Sequence, residues 1–429
     1  MLTLLALAAM ARPTDGGQFS YDSTDVLAHW DEPSGLIRVH YSTSGTNQAD
    51  LTDADDDGVP DYVAIVGLTA VEAWHLFADD LGVRSPLRET DLGSAIGGSE
   101  AFDVYLVDFG GNADGHFGVD RCSGGVCSGY LVIENDFQGY GYSSLQEAAD
   151  VLTSHELFHG VQYAYSDSMP NWFAEGTAVW AEKRFDEASW DFMRFADAYL
   201  EDVGRSLDRP PTGPVPAFAY ATCLYWDFLT IRLGNDAMAD LMLALEGIPD
   251  DQVIDAIDVF LEDAGDPFDA NWPVFASWNL ATWPRNGLAP SYDYAADIGP
   301  IAEEAEGPSL DEDHRFYPLA SSYFHLVHPG GPLWFGIEEG APELVFAVHP
   351  VVNGTADGDV EPATMVFSPE QAGAWDLGEG EDLPAGGYWF VGTKPVVAAN
   401  STKPAPPSHA WYDAAGDQKC TLAFESLST

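Results

Sequence analysis

Hydrophobic and polar positions alternate over Leu36-Ile-Arg-Val-His-Tyr41, which is rich in β-branched and aromatic residues and predicts a strand. From Tyr62 to Ala78 the period changes: Val63, Val66, Val71, Trp74 and Phe77 recur at helical spacing. Phe102-Asp-Val-Tyr-Leu-Val-Asp108 alternates as a second strand, and after a glycine-rich loop Gly129-Tyr-Leu-Val-Ile-Glu134 predicts a third. Residues 145–164 predict a helix, for which either Ser143 or Ser144 can serve as the cap. Another helix begins near Pro170 and carries Trp172 to Glu182. From about 188 to 282 the pattern is largely helical, interrupted by an extended linker at prolines 210, 211, 214 and 216. Beyond 300 the texture becomes short apolar runs divided by Gly, Pro and Asp: Tyr323–Val327, Glu343–Val348 and Gly387–Val391. That is the signature of an all-β sandwich.

The pattern therefore predicts an α+β chain of two domains. A catalytic-type domain over 12–300, with a mixed sheet and a helical subdomain, precedes a β-sandwich over 301–429. Residues 1–11 form a short apolar stretch ending in Ala9-Met10-Ala11, a small-residue leader cleavage pattern that predicts a secreted protein. No apolar run is long enough to span a bilayer.

Charge narrows the partners. The chain has 16 basic and 70 acidic residues, a net charge of −54. Nucleic acid and anionic membranes need a basic footprint and are disfavoured. The oligomeric state is not legible. Cys122 and Cys127 bracket a Ser-Gly-Gly-Val loop that could close as a disulfide in an exported protein, and a metal knuckle is disfavoured because no matching pair follows. Cys223 and Cys420 each read as a small buried apolar residue, with a bond between them left open.

Two segments carry metal chemistry. In His155-Glu156-Leu-Phe-His159, positions i and i+4 share a helix face, so both imidazoles can reach one Zn²⁺ ion. Glu156 beside them is placed to act as general base on water. The third ligand that a catalytic zinc needs is read as Glu175, in Trp172-Phe-Ala-Glu175-Gly-Thr-Ala-Val-Trp180. Glu182, two turns on, is weighed as an orienting partner of a histidine but read in preference as a solvated carboxylate. The other nine histidines, His116 among them, read as structural or exposed. The second segment is Asp53-x-Asp55-x-Asp57-Gly-Val59-x-Asp61, whose carboxylates, with the Val59 carbonyl, match a Ca²⁺ loop. Ala64 stands where an EF-hand would have its bidentate Glu, so the loop is more similar to those of thrombospondin type-3 repeats.

The HExxH helix followed by Trp-Phe-Ala-Glu175-Gly-Thr-Ala resembles the gluzincin metallopeptidases of the thermolysin and M1-aminopeptidase type. Asp53 to Tyr62, Phe102 to Leu106, His155 to Gln162 and Trp172 to Trp180 together resemble secreted metalloproteases of myxobacteria and related bacteria, over roughly residues 36 to 235. The resemblance implies a zincin-like fold acting on a peptide or protein substrate. It implies that Gly129 to Glu134 is the edge strand on which substrate pairs. It also implies that a tyrosine stabilises the oxyanion, with Tyr220 the candidate and Tyr225 behind it. The competing expectation is a calcium-dependent extracellular binding or matrix protein with a vestigial zinc site.

Overall fold

The computed structural model describes residues 11–16, 19–111, 113–209, 216–286 and 291–303, and beyond them 317–320 and the strands named below. Residues 1–10 of the expected leader and 210–215 of the expected linker lie outside the described residues. The chain forms two compact units, Met1–Phe192 with Leu229–Val253, and Met193–Phe228 with Ile254–Thr429.

The first unit is built on a five-stranded mixed sheet. Its strands are β1 (Leu27–Asp31), β2 (Ile37–Ser42), β3 (Phe102–Val107), β4 (Gly115–Ser123) and β5 (Val126–Glu134), in the order β1-β2-β3-β5-β4. β2, β3 and β5 run parallel, while β1 and β4 are antiparallel to their neighbours. β3 lies in the middle, so all six of its residues are buried, Asp103 included. β4 and β5 form a hairpin whose turn is closed by a Cys122–Cys127 disulfide.

This hairpin corrects the expected edge. Gly129 to Glu134 is an inner strand, paired with β3 on one side and β4 on the other, and β4 is the edge. The glycines of β4 (Gly115, Gly118) dilute its hydrophobic pattern, yet Phe117 and Val119 are buried.

Four helices of this unit matter for the site: α1 (Asp61–His75), α2 (Glu89–Leu92), α3 (Leu145–Tyr163) and α4 (Asn171–Phe185). α3 packs against β4 and β5, and α1 against β2 and α3. Ser144 caps α3, accepting the Glu147 N–H at 3.1 Å. Phe158 on α3 meets Phe77 and Trp180 edge-on, at 5.2 and 5.7 Å between ring centres. With thirteen buried residues, polar ones among them, α3 sits inside the unit and not on its surface.

The second unit contains α6 (Ala217–Ala221), α9's body (Val253–Asp263), α10 (Phe268–Leu280) and two sheets. Two helices, α5 (Trp190–Glu201) and α7 (Cys223–Leu233), run across the division between units, and α8 (Ala237–Ala244) belongs to the first. One sheet runs β11-β10-β14-β8-β6 with β12 also on β10, from β6 (Ala305–Gly307), β8 (Ser321–His328), β10 (Leu344–Val352), β11 (Thr355–Ala356), β12 (Ala363–Phe367) and β14 (Gly386–Thr393). The other runs β13-β9-β15-β7, from β7 (Leu310–Arg315), β9 (Leu333–Ile337), β13 (Trp375–Asp376) and β15 (Lys419–Ser426).

The chain passes between the units after Phe192, Phe228 and Val253, so α10 shares the second unit with the strands that follow it. Tyr323 on β8 donates to the Ala276 carbonyl at 2.8 Å, and Trp272 donates to the Ala320 carbonyl at 3.2 Å. These bonds tie α10 to the sheet that follows it. Cys223 is buried as a thiol on α7.

Candidate metal centre

His155 and His159 project from one face of α3, their rings 4.9 Å apart. α4 brings Glu175 to them. His155 Nε2 lies 3.3 Å and His159 Nε2 3.4 Å from the same Glu175 oxygen. A zinc ion with ligand bonds of about 2.0–2.1 Å in a tetrahedron separates its ligands by about 3.3–3.4 Å, so this donor set fits the ion.

The far side of each imidazole is also held. His155 Nδ1 lies 2.7 Å from Glu182 Oε1, and His159 Nδ1 lies 2.8 Å from Gln162 Oε1. Each bond fixes a ring and directs its Nε2 toward Glu175. Gln162 in turn donates to the Ala174 carbonyl at 2.7 Å and to Thr177 Oγ1 at 2.9 Å, both on α4.

Glu182 corrects the expectation of a solvated carboxylate. It is 2 % exposed. Burial pushes its carboxyl up to about 8 and nearby Asp191 adds to this, against the downward pull of His155. The residue was readable as a partner from its position seven after Glu175, two turns along one face. Gln162, three after His159, carried the same kind of signal and was not read as part of the site.

Burial alone would raise the Glu175 carboxyl. The His159 charge and hydrogen bonds from both histidines outweigh it and hold Glu175 well below the usual range. Burial would likewise lower both histidines, and the facing glutamates hold them above their ordinary value. The pocket thus sets two imidazoles against one ionised carboxylate at a focus that could hold a cation.

Glu156 reaches toward β4, close enough to His155, His159 and Glu175 to feel their charge, and is 8 % exposed. Burial raises its carboxyl, with Glu175 and Asp114 adding to the rise against both histidines. A side chain on Gly115 would begin only 2.8 Å from Glu156 Oε1, so the first residue of the edge strand must be glycine for Glu156 to lie there. Asp114, beside it, accepts the Tyr142 hydroxyl at 3.2 Å. His116, also on β4, is pushed down to about 4 by burial and by His159, which keeps it neutral.

The other expected residues lie elsewhere. Asp53, Asp55 and Asp61 bring carboxylate oxygens within 4.8 Å of one another. Asp57 is not in that group; its Oδ1 accepts the Val59 N–H at 2.8 Å. Tyr220 is half-buried on α6 of the second unit, stacked on Phe195 at 5.0 Å. Tyr225 is fully buried there, its hydroxyl 3.0 Å from Asn271 Oδ1. Among the described residues no helix is long and apolar enough to cross a membrane. The chain matches no protein-family model and no curated protein, so the functional reading rests on the geometry of the site.

Proposed function

We propose that the chain is a secreted zinc-dependent peptidase. The observation that carries the reading is the meeting of His155, His159 and Glu175 at tetrahedral spacing beside buried Glu156. His155, His159 and Glu175 would hold the ion. When bound, zinc would supply Lewis acidity to a peptide carbonyl and to water. Glu156 takes the proton from the attacking water and returns it to the departing amine. Burial, which raises its carboxyl, favours its taking the proton from water. Edge strand β4 offers its free backbone side to an extended peptide next to Glu156. We further propose that the loop of Asp53, Asp55 and Asp61 holds Ca²⁺, and that the two sheets after residue 300 pack as a sandwich.

The test is Glu156→Gln on the full chain. It should keep about one equivalent of zinc and lose about 10²–10⁴-fold in peptide hydrolysis. Unchanged hydrolysis would remove Glu156 from its role. Absence of stoichiometric zinc from the wild type would remove the metal, and would favour the calcium-dependent binding protein instead.

A further inference from the structure

The face of the first sheet away from α3 carries Tyr105, Val107, Phe109, Tyr130 and Val132. Phe19 and Tyr21 of the N-terminal arm pack against it. Beside this apolar patch stand three carboxylates from three separate elements: Glu89 on α2, Asp103 on β3 and Asp120 on β4. Their side chains are 2 %, 1 % and 4 % exposed. Three carboxylates so buried and so close cannot all stay ionised without a cation among them.

Arg12 is that cation. Its Nε donates to Asp120 Oδ1 at 2.8 Å, and Nη2 donates to Asp120 Oδ2 and Glu89 Oε2, each at 2.6 Å. Nη1 donates to Asp103 Oδ2 at 2.7 Å and to the Tyr105 hydroxyl at 2.9 Å. All five guanidinium N–H groups are used. The charge also sits 5.1 Å from the Tyr130 ring centre. The remaining carboxylate oxygens are occupied: His40 Nε2 is 2.7 Å from Asp103, and the Ile96 and Gly97 N–H groups donate to Glu89. A planar, bidentate arrangement of this kind suits guanidinium and not ammonium.

The rest of the arm follows from this anchor. A short turn at Pro13–Asp15 leads on, Tyr21 N–H donates to the Pro13 carbonyl at 3.0 Å, and the Tyr21 hydroxyl lies 3.0 Å from the His40 and Leu106 carbonyls. Ala11, one residue before the anchor, is exposed.

We propose that Glu89, Asp103 and Asp120, walled by Tyr105 and Tyr130, form a guanidinium-binding site, and that the N-terminal arm completes the first unit by inserting Arg12 into it. The seated arm joins α2, β3 and β4, three elements that have no covalent link near this point. Removal of a leader after Ala11 would leave the anchor whole, whereas a cut one residue later would delete it.

The test uses the full chain with Arg12→Gly, which leaves a hole in the shape of an alkylguanidinium. The variant should melt about 5–15 °C below the wild type. Propylguanidinium at about 10 mM, too dilute to denature, should then raise its Tm by several degrees. The wild type and Arg205→Gly, which breaks a largely exposed pair with Asp202 outside this site, should not respond. A variant melting within about 1 °C of the wild type, or an equal response in all three proteins, would overturn the proposal. If Arg12→Gly gives no folded protein, Arg12→Gln alone and with Asp120→Asn decides the matter. The double variant should melt higher than the single, because it removes a buried unpaired charge. A double variant that melts lower overturns it.

Discussion

His155 and Glu182 show how much one carboxylate can contribute without touching a metal. Their 2.7 Å bond leaves His155 one orientation, and the burial of both groups shields the bond from water. Glu182→Gln keeps the shape but replaces the carboxyl facing His155 with an amide. It should weaken zinc binding about 10–100-fold in competition against a chelator, with Glu156 and its surroundings untouched. Unaltered affinity would reduce Glu182 to packing. The two histidines and Glu156 were legible because their relation is local, one helical turn in the sequence. Glu175 was legible through spacing and the need for a third ligand. Glu182 was read as solvated because in a chain with 70 acidic residues a carboxylate is ordinarily on the surface. Its burial depends on how α3 and α4 face each other, which no single helix pattern encodes.

At the scale of elements, α1, α3, α4, β2, β3 and β5 follow the periodicities closely. β4 does not, because this edge strand must make room for the side chains packed against it. Gly115 makes way for Glu156, and a Cβ on Gly118 would run into the Tyr130 ring. The same substitutions that shape the site erase the pattern that would reveal the strand. The Asp-rich loop is a second element whose role is tied to its neighbour. Asp61 is both a member of the carboxylate group and the first residue of α1, which packs on α3. A cation there would fix the start of α1 and so support the helix carrying the histidines. In metal-stripped buffer, adding about 1 mM Ca²⁺ should raise the Tm by about 2–5 °C. Asp53→Ala should abolish the rise; a rise that survives in the variant would place the ion elsewhere.

Over the whole molecule, the charge of −54 is spread on a chain with only 16 basic residues, and one of those is spent inside the first unit on Arg12's pocket. Self-repulsion of this size opposes the compact state. Raising KCl from about 0.05 to about 1 M, where the screening length falls to about 3 Å, should therefore raise the Tm by about 3–8 °C in a calorimeter. A Tm that falls with salt would mean that surface ion pairs outweigh the repulsion. How the helices between 193 and 280 are shared between the two units was not legible, because that choice depends on contacts far apart in sequence. The hydrogen bonds of Trp272 and Tyr323 make that choice, and they span about fifty residues of sequence, at separations of 48 and 47.

Gln162 joins the two metal-site helices through a single amide. Its nitrogen is committed to Ala174 and Thr177, so its oxygen has to face His159. The amide cannot flip, and the proton of that imidazole is therefore assigned to Nδ1 by a residue three positions away. The same clasp acts as a gauge of alignment. If α4 slid past α3 by one residue, Glu175 and the α4 partners of Gln162 would be displaced together, so the position of the carboxylate and the orientation of His159 depend on one helix register.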